Sequence, residues 1–249
     1  MRKLVACLAC RNEGSRLYGK PLQNLDIKKK ISILQYIIDC LKKTREINSI
    51  ILAISNNIQN KIYEEIAKKN NINFIYGHEI NVLSRLVKSC EKEKGTDLFR
   101  ITTESPFFLF EKIPQLWKMH IKNNYDLTTI DDVPDGSGFE IVNLKAYKFS
   151  LKNGKKKHKS EFCSLYIREN KKKFNFYKYN IENIYKRKDL RLTADYPEDL
   201  IVLREIYSNF KKKYPKIPLK SIIRFLDKKK NLKKLISKYT NESLKLMNI

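Results

Sequence analysis

The sequence predicts an α/β protein, a mostly parallel sheet with helices on both faces and a small α+β elaboration past its middle. Three observations carry this. Short apolar runs of strand length recur through the first half of the 249-residue chain. Between them lie stretches whose apolar residues repeat at helical spacing. The strand runs are apolar throughout rather than alternating, as strands buried on both faces are.

Taken in order, residues 4–8 (Leu4-Val5-Ala6-Cys7-Leu8) read as a buried first strand. Residues 32–43 place Ile33, Leu34, Ile37, Ile38 and Leu41 on one face of a helix. A second strand at 50–54 runs into Ser55-Asn56-Asn57, followed by a helix at 61–69 and a short strand at 74–76. The helix expected at 81–94 gathers Val82, Leu83, Leu86, Val87 and Cys90, and 97–103 makes the fourth strand. Another short strand is expected at 127–130, before the most turn-rich stretch of the chain, 131–138. Residues 152–160 form a basic turn, 161–170 a short helix and 174–179 a half-exposed strand. The sheet is expected to resume at 189–193, before three terminal helices at 197–213, 219–227 and 232–246. With no repeat and no linker, residues 1–249 form one domain, elaborated at about 131–188 for acceptor binding or dimer contact. Ligands of such sheets collect at the carboxyl ends of the strands.

At 42% hydrophobic residues the chain can bury a core. It has no apolar run of about 18 residues, so no membrane span is expected. Met1-Arg2-Lys3-Leu4-Val5 enters a strand directly instead of a signal-peptide core, which predicts a cytoplasmic protein. A formal net charge of +25 raises the question of nucleic acid. The excess is lysine spread in runs at 28–30, 155–157, 171–173 and 228–230, between apolar segments. That distribution points to solvated turns and incidental polyanion affinity, not to nucleic-acid binding as the main function. Five cysteines give an odd count and no disulfide framework. Cys7 and Cys10 are three apart on a strand, so they face opposite ways and cannot pair.

The stretch with most chemistry is Ala9-Cys10-Arg11-Asn12-Glu13-Gly14-Ser15-Arg16-Leu17-Tyr18-Gly19-Lys20-Pro21-Leu22. A buried strand breaks here into a turn with two glycines and three cations. Backbone N–H groups can close around phosphate oxygens where glycine removes the Cβ, and Arg11, Arg16 and Lys20 supply counter-charge. Gly14 to Lys20 matches all of the P-loop pattern except its last position, where Pro21 stands in place of the magnesium-binding hydroxyl. The chemistry of this loop therefore says triphosphate without a P-loop; a basic surface turn is the bland alternative.

The same residues resemble the signature A-R-x-x-S-T-R-L-P-G-K-x-L of the sugar-activating cytidylyltransferases, with Cys10 and Tyr18 among the departures. The branch most similar is that of the spore-coat-polysaccharide cytidylyltransferase-like proteins, relatives of the acylneuraminate and deoxyoctulosonate enzymes. The resemblance implies a Rossmann-like fold of the nucleotide-diphospho-sugar transferase type. It also implies magnesium-dependent transfer of CMP from CTP to a sugar or sugar acid for surface polysaccharide or glycan synthesis. A homodimer is compatible with it. By that resemblance Arg11 and Lys20 are catalytic, and Ala9, Cys10, Gly14, Ser15 and Arg16 bind nucleotide with them. Gly77…Asn81-Val82-Leu83-Ser84-Arg85 is similar to a further nucleotide segment, with Asn81 replacing an acid. Asn81 is equally competent as a helix N-cap, and Arg85 as the partner of a carboxylate.

Arg100-Ile101-Thr102-Thr103-Glu104-Ser105-Pro106 is similar to the family's R-I-T-G-D-C-P, which makes Arg100 a nucleotide residue and Glu104 a metal ligand. Thr193-Ala194-Asp195-Tyr196-Pro197-Glu198-Asp199-Leu200 matches T-x-D-x-P-E-D-L and implies Asp195 as the other ligand. Magnesium suits two carboxylates, since it fills its octahedron with water and phosphate oxygens. An acid before Pro197 is also what a helix N-terminus favours, and Glu198 and Asp199 read as capping residues. Asp135, Gly136 and Glu140, then Glu161 and Tyr166, fall in segments that the resemblance associates with the acceptor sugar, although Phe162 replaces a usual histidine. Two rival readings are a lysine-rich nucleic-acid-binding protein and a weakened relative serving as a binding subunit.

Overall fold

The structure is a computed structural model that describes residues 2–14 and 16–247, with side chains described as far as residue 240. Its first strand, β1 (Leu4–Cys10), shows why the apolar runs do not alternate. Leu4, Ala6, Leu8 and Cys10 face one core, whereas Val5 and Cys7 face the other. The two cysteines of the C-x-x-C thus lie on opposite faces, and all five cysteines are buried and unpaired.

A short hairpin, β2 (Asn24–Asp26) and β3 (Ile31–Ser32), leads into α1 (Ile33–Lys42). Ser32 caps that helix by accepting from the Gln35 N–H at 3.0 Å. Then come β4 (Ser49–Ser55), α2 (Ile62–Lys69), β5 (Asn73–Gly77), α3 (Val82–Lys92) and β6 (Asp97–Arg100). The chain continues through α4 (Ile113–Lys122), β7 (Leu127–Thr129), β8 (Glu140–Asn143), α5 (Leu144–Asn153), α6 (Leu165–Glu169) and β9 (Phe176–Lys178). It closes with α7 (Pro197–Phe210), α8 (Leu219–Lys228) and α9 (Lys230–Met247).

Seven strands form the main sheet in the order β5-β4-β1-β6-β8-β7-β9. Among the described strands of this sheet only β8 runs antiparallel to its neighbours. Helices α3, α5 and α6 cover the Val5–Cys7 face, and α1, α4, α7 and α8 the other. This is the Rossmann-like α/β sheet expected. Counted within the sheet, its first four strands stand in the order 3-2-1-4, with the reversal between β1 and β6. A crevice outside the carboxyl ends of those two strands is where such sheets hold ligands.

Three expectations are corrected. Residues 189–193 are not a strand: a single parallel bridge joins Asp135 to Arg191. Leu190 and Leu192 are apolar because they are buried in the core, which mimics a strand pattern without a ladder. The fourth strand stops at Arg100, which frees residues 101–104 to curve over the end of β1. The helix expected at 161–170 is only Leu165–Glu169. Elements α4, β8 and α5 are additional to those expected, and β8 and β9 place parts of 131–188 in the main sheet.

Candidate active site

The loop leaving β1 is pinned from below by Asn12, which is 4% exposed. Its N–H donates to Asn60 Oδ1 at 2.8 Å, and its Oδ1 accepts from the Tyr63 hydroxyl at 2.7 Å. Its carbonyl accepts from Gly19 N–H at 2.9 Å and closes the loop into a ring. A Cβ at Gly14 would stand 2.4 Å from the Leu17 carbonyl oxygen, so the close approach inside this ring requires glycine. Ser15, expected to bind nucleotide, lies outside the described residues. Tyr18, where proline is usual, projects outward and donates to Gln59 Oε1 at 3.1 Å.

Pinned in this way, the loop presents its cations to Asp195. Lys20 Nζ lies 2.5 Å from Asp195 Oδ1, and Arg16 Nη2 lies 3.3 Å from the same oxygen. On the other side Arg191, only 3% exposed, pairs with Asp195 Oδ2, with Asp135 at 2.6 Å and with Asp199 at 3.0 Å. Asp199 also accepts from the N–H groups of Asp195 and Tyr196 at 2.8 and 2.9 Å, so it fixes the turn that aims Asp195. Burial alone would raise the Asp195 carboxyl, but Lys20, Arg191 and Arg16 together hold it below its ordinary value.

Glu104 reaches the same place from the end of β6. Ala194 N–H donates to its carbonyl at 3.0 Å, which stitches the two acid-bearing loops together. Burial pushes the Glu104 carboxyl above its ordinary value; Lys20 opposes this and Asp195 adds to it. Thr103, where glycine is usual, donates its hydroxyl to the Ala9 carbonyl at 2.8 Å and ties this loop to β1. Gly136 holds φ +83°, and a Cβ there would stand 2.8 Å from Ser105 Oγ and 2.9 Å from Thr193 Cβ. Gly136 therefore packs against Ser105 and Thr193, which lie close to Glu104 and Asp195 in sequence, and Asp135 is held by Arg191.

A second cluster borders the first. Arg11 lies 3.2 Å from Glu161 Oε2, and Arg100 donates to the Glu161 carbonyl at 2.7 Å and to Glu140 at 3.1 Å. Arg168 donates to Glu140 at 2.8 Å and to Asp131 at 2.8 Å, and Ser164 donates to Glu140 at 2.5 Å. Burial would raise Glu140, yet Arg100 and Arg168 bring it down to about 2. Glu140 is thus the keystone that orients two arginines. Glu161 is the more accessible acid, with a side chain 62% exposed.

Three other expected residues lie apart from these clusters or beneath them. Tyr166 packs its ring against His158, Phe149 and Phe174. Asn81 caps α3, accepting from Ser84 N–H at 3.0 Å, beside an open groove of about 410 Å³ lined by Asn56, Tyr76, Gly77, His78, Glu79 and Ile80. Arg85 is 1% exposed and pairs with no described carboxylate. Instead it donates to the carbonyls of Cys10 and Ala53 at 3.3 and 2.9 Å, a clamp across the ends of β1 and β4. Burial lowers its pKa from the ordinary arginine value.

Residues 5–242 match the family described as Cytidylyltransferase. The chain belongs to the cytidylyltransferase family. Its members are nucleotidyltransferases. The chain is 27% identical over 241 residues to "Uncharacterized protein MJ1063" of Methanocaldococcus jannaschii, covering 97% of each chain. It is 24% identical over 209 residues to "Spore coat polysaccharide biosynthesis protein SpsF" of Bacillus subtilis, covering 83% of this chain and 87% of that one. In fold it is similar to a cytidylyltransferase from Leptospira borgpetersenii, with a TM-score of 0.84 at 20% identity over 93% and 97% of the two chains. Among the described residues no helix of this cytidylyltransferase is long and apolar enough to cross a membrane.

Sequence reasoning missed Asn12, Tyr63, Arg168 and Arg191. Asn12 stood inside the loop motif, and Arg191 stood four residues before Asp195; neither spacing reveals burial.

Proposed function

We propose that this cytidylyltransferase couples CTP to a sugar or sugar acid with the help of magnesium, releasing pyrophosphate, in the synthesis of a surface polysaccharide or other glycan. The observation that carries the proposal is the convergence of Lys20 and Arg16 on Asp195, in a loop whose Ala194 N–H donates to the Glu104 carbonyl. The likeness to a spore coat polysaccharide biosynthesis protein supports a glycan as the destination.

The carboxylates of Glu104 and Asp195 fit magnesium, as hard oxygen donors already gathered around positive charge. When bound there, the metal supplies neutralisation of phosphate charge. Everything else falls to the chain's own groups. A triphosphate entering the loop competes for Arg16 and Lys20, which leave Asp195 for phosphate oxygens and free its carboxylate. Arg11 is likewise released from Glu161 to the nucleotide. An acceptor oxygen then attacks the α-phosphorus in line as the bond to the bridging oxygen of pyrophosphate breaks, and where the acceptor is a hydroxyl its proton passes to solvent. Arg11, Arg16 and Lys20 offset the charge gathering on the departing pyrophosphate. Such catalysis is positioning and electrostatics, so no covalent nucleophile is needed. The buried cysteines fit that, because burial pushes the Cys10 thiol far up and keeps it protonated.

The nucleotide is read by thermal denaturation. CTP with magnesium should raise Tm more than ATP or GTP, since a ligand at a hundred times its Kd stabilises the fold by about 2.7 kcal/mol. Equal shifts with all three would leave a triphosphate site but remove the cytidylyl assignment.

A further inference from the structure

Arg16 has two anchors, and only one survives nucleotide binding as proposed above. The Asp195 contact is the one a triphosphate would take over. The other is Tyr196: Arg16 Nη1 donates to its hydroxyl at 3.0 Å, and the guanidinium lies 4.8 Å from the centre of its ring. Tyr196 stands in extended backbone just before α7, at φ −122° and ψ 157°, with its N–H held by Asp199.

The ring of Tyr196 is stacked in turn by Tyr239 of α9, with centroids 3.6 Å apart and planes 9° from parallel. The Tyr239 hydroxyl donates to Glu198 Oε1 at 2.9 Å, the oxygen that Lys238 also meets at 2.9 Å, while its flat ring makes the contact to Tyr196. Ile236, fully buried, docks the same helix on the core. A continuous chain of contacts thus runs from the C-terminal helix to the loop cation.

We infer that the C-terminal helix is part of the nucleotide site, with Tyr239 acting through Tyr196 to position Arg16 for the triphosphate. The inference rests on the reading of the β1 loop as a triphosphate site. Tyr239 is a positioning residue, because it acts on Arg16 through the ring of Tyr196.

The test is calorimetric binding of CTP with magnesium to the full chain and to Tyr239→Leu, Tyr239→Phe, Tyr196→Leu and the double variant Tyr196→Leu/Tyr239→Leu. Tyr239→Leu keeps apolar bulk but loses the flat ring, and should weaken CTP about threefold to tenfold, the scale of a lost cation–π anchor. kcat/KM for CTP should fall by at least the same factor, and Tyr239→Phe, which keeps the flat ring, should behave as the parent does. Tyr196→Leu should lose at least as much, and the double variant no more than Tyr196→Leu alone. A parent that binds CTP while Tyr239→Leu binds equally well overturns this inference and leaves the proposed function intact. Additive losses in the double variant also overturn it, because Tyr239 would then act by another route. A parent that binds no CTP removes the proposed function and this inference together. If Tyr239→Leu does not fold, unchanged affinity in Tyr196→Leu is enough to reject the chain of contacts.

Discussion

Asp195 is approached by Lys20, Arg16 and Arg191, and these cations are not equivalent. Arg191 is buried and shared with Asp135 and Asp199, so it belongs to the scaffold. Lys20 and Arg16 come from the segment after β1, and the proposed function has them move to phosphate. Lys20→Ala should therefore lower turnover by about 10²–10³-fold, as loss of one preorganised charge-stabilising group does, with little change in Tm. Near-parental turnover would make the loop a surface turn. Glu104 stands where the family usually has aspartate, and it reaches one methylene further. Glu104→Gln keeps the shape and loses the charge beside Asp195, and should sharply weaken turnover and its dependence on magnesium concentration. Glu104→Asp should keep substantial activity. A tolerated Gln alongside an inactive Asp195→Asn would show that Glu104 holds no metal.

At the scale of elements, the far end of the sheet is tied by polar groups instead of ligands. Asp97 on β6, His120 on α4, Arg2 and Thr128 form a buried network, with His120 3.1 Å from Asp97 and 2.8 Å from Thr128. Burial lowers the His120 pKa although Asp97 opposes it, and Asp97 is held low by His120, Arg2 and Thr96 against its own burial. Both groups bind protons more weakly folded than unfolded, so stability must rise with pH. The histidine part should be fully present above its unfolded value, about 6.5, and fade as pH falls below it; the aspartate part should fade below about 3.9. Tm should accordingly fall between pH 7 and 5, and His120→Gln should flatten that fall; an equally steep fall in the variant would contradict the assignment. The same elements show what could be read from sequence. Strands β1 and β4 were legible because both of their faces are buried, which gives unbroken apolar runs, and helices α1 and α3 because each buries one face at the helical period. Helix α4 was hidden by Pro114, which looks like a breaker but sits in the first turn, where no N–H is needed. Strand β8 is four residues long and its partners come from distant segments, so no local pattern announces it.

In the whole molecule, the parts of the site visible in the sequence are those proposed to face a ligand. Arg11, Gly14, Arg16, Lys20, Glu104 and Asp195 stand in motifs because the chemistry dictates them directly. The supports were invisible because their partners are remote: Asn12 meets Tyr63, Glu140 meets Arg168, and Tyr196 meets Tyr239. Glu140 and Tyr166 show the converse, since residues picked for an acceptor turn out to be packed against arginines and aromatic rings. The net charge of +25 does not alter this reading, for it resides in lysine runs such as 171–173 and 211–213 at the surface. What the fold joins beyond the carboxyl ends of β1 and β6 is one basic loop and two acid-bearing loops, with Tyr239 of the C-terminal helix stacked on Tyr196 beside them. The most direct measurement is pyrophosphate release from each of the four nucleoside triphosphates, with magnesium, over a panel of sugars, sugar phosphates and sugar acids. The account predicts release from CTP with at least one acceptor, and its loss in Lys20→Ala. Release that favours another nucleotide, or release from CTP that persists in Lys20→Ala, would contradict it.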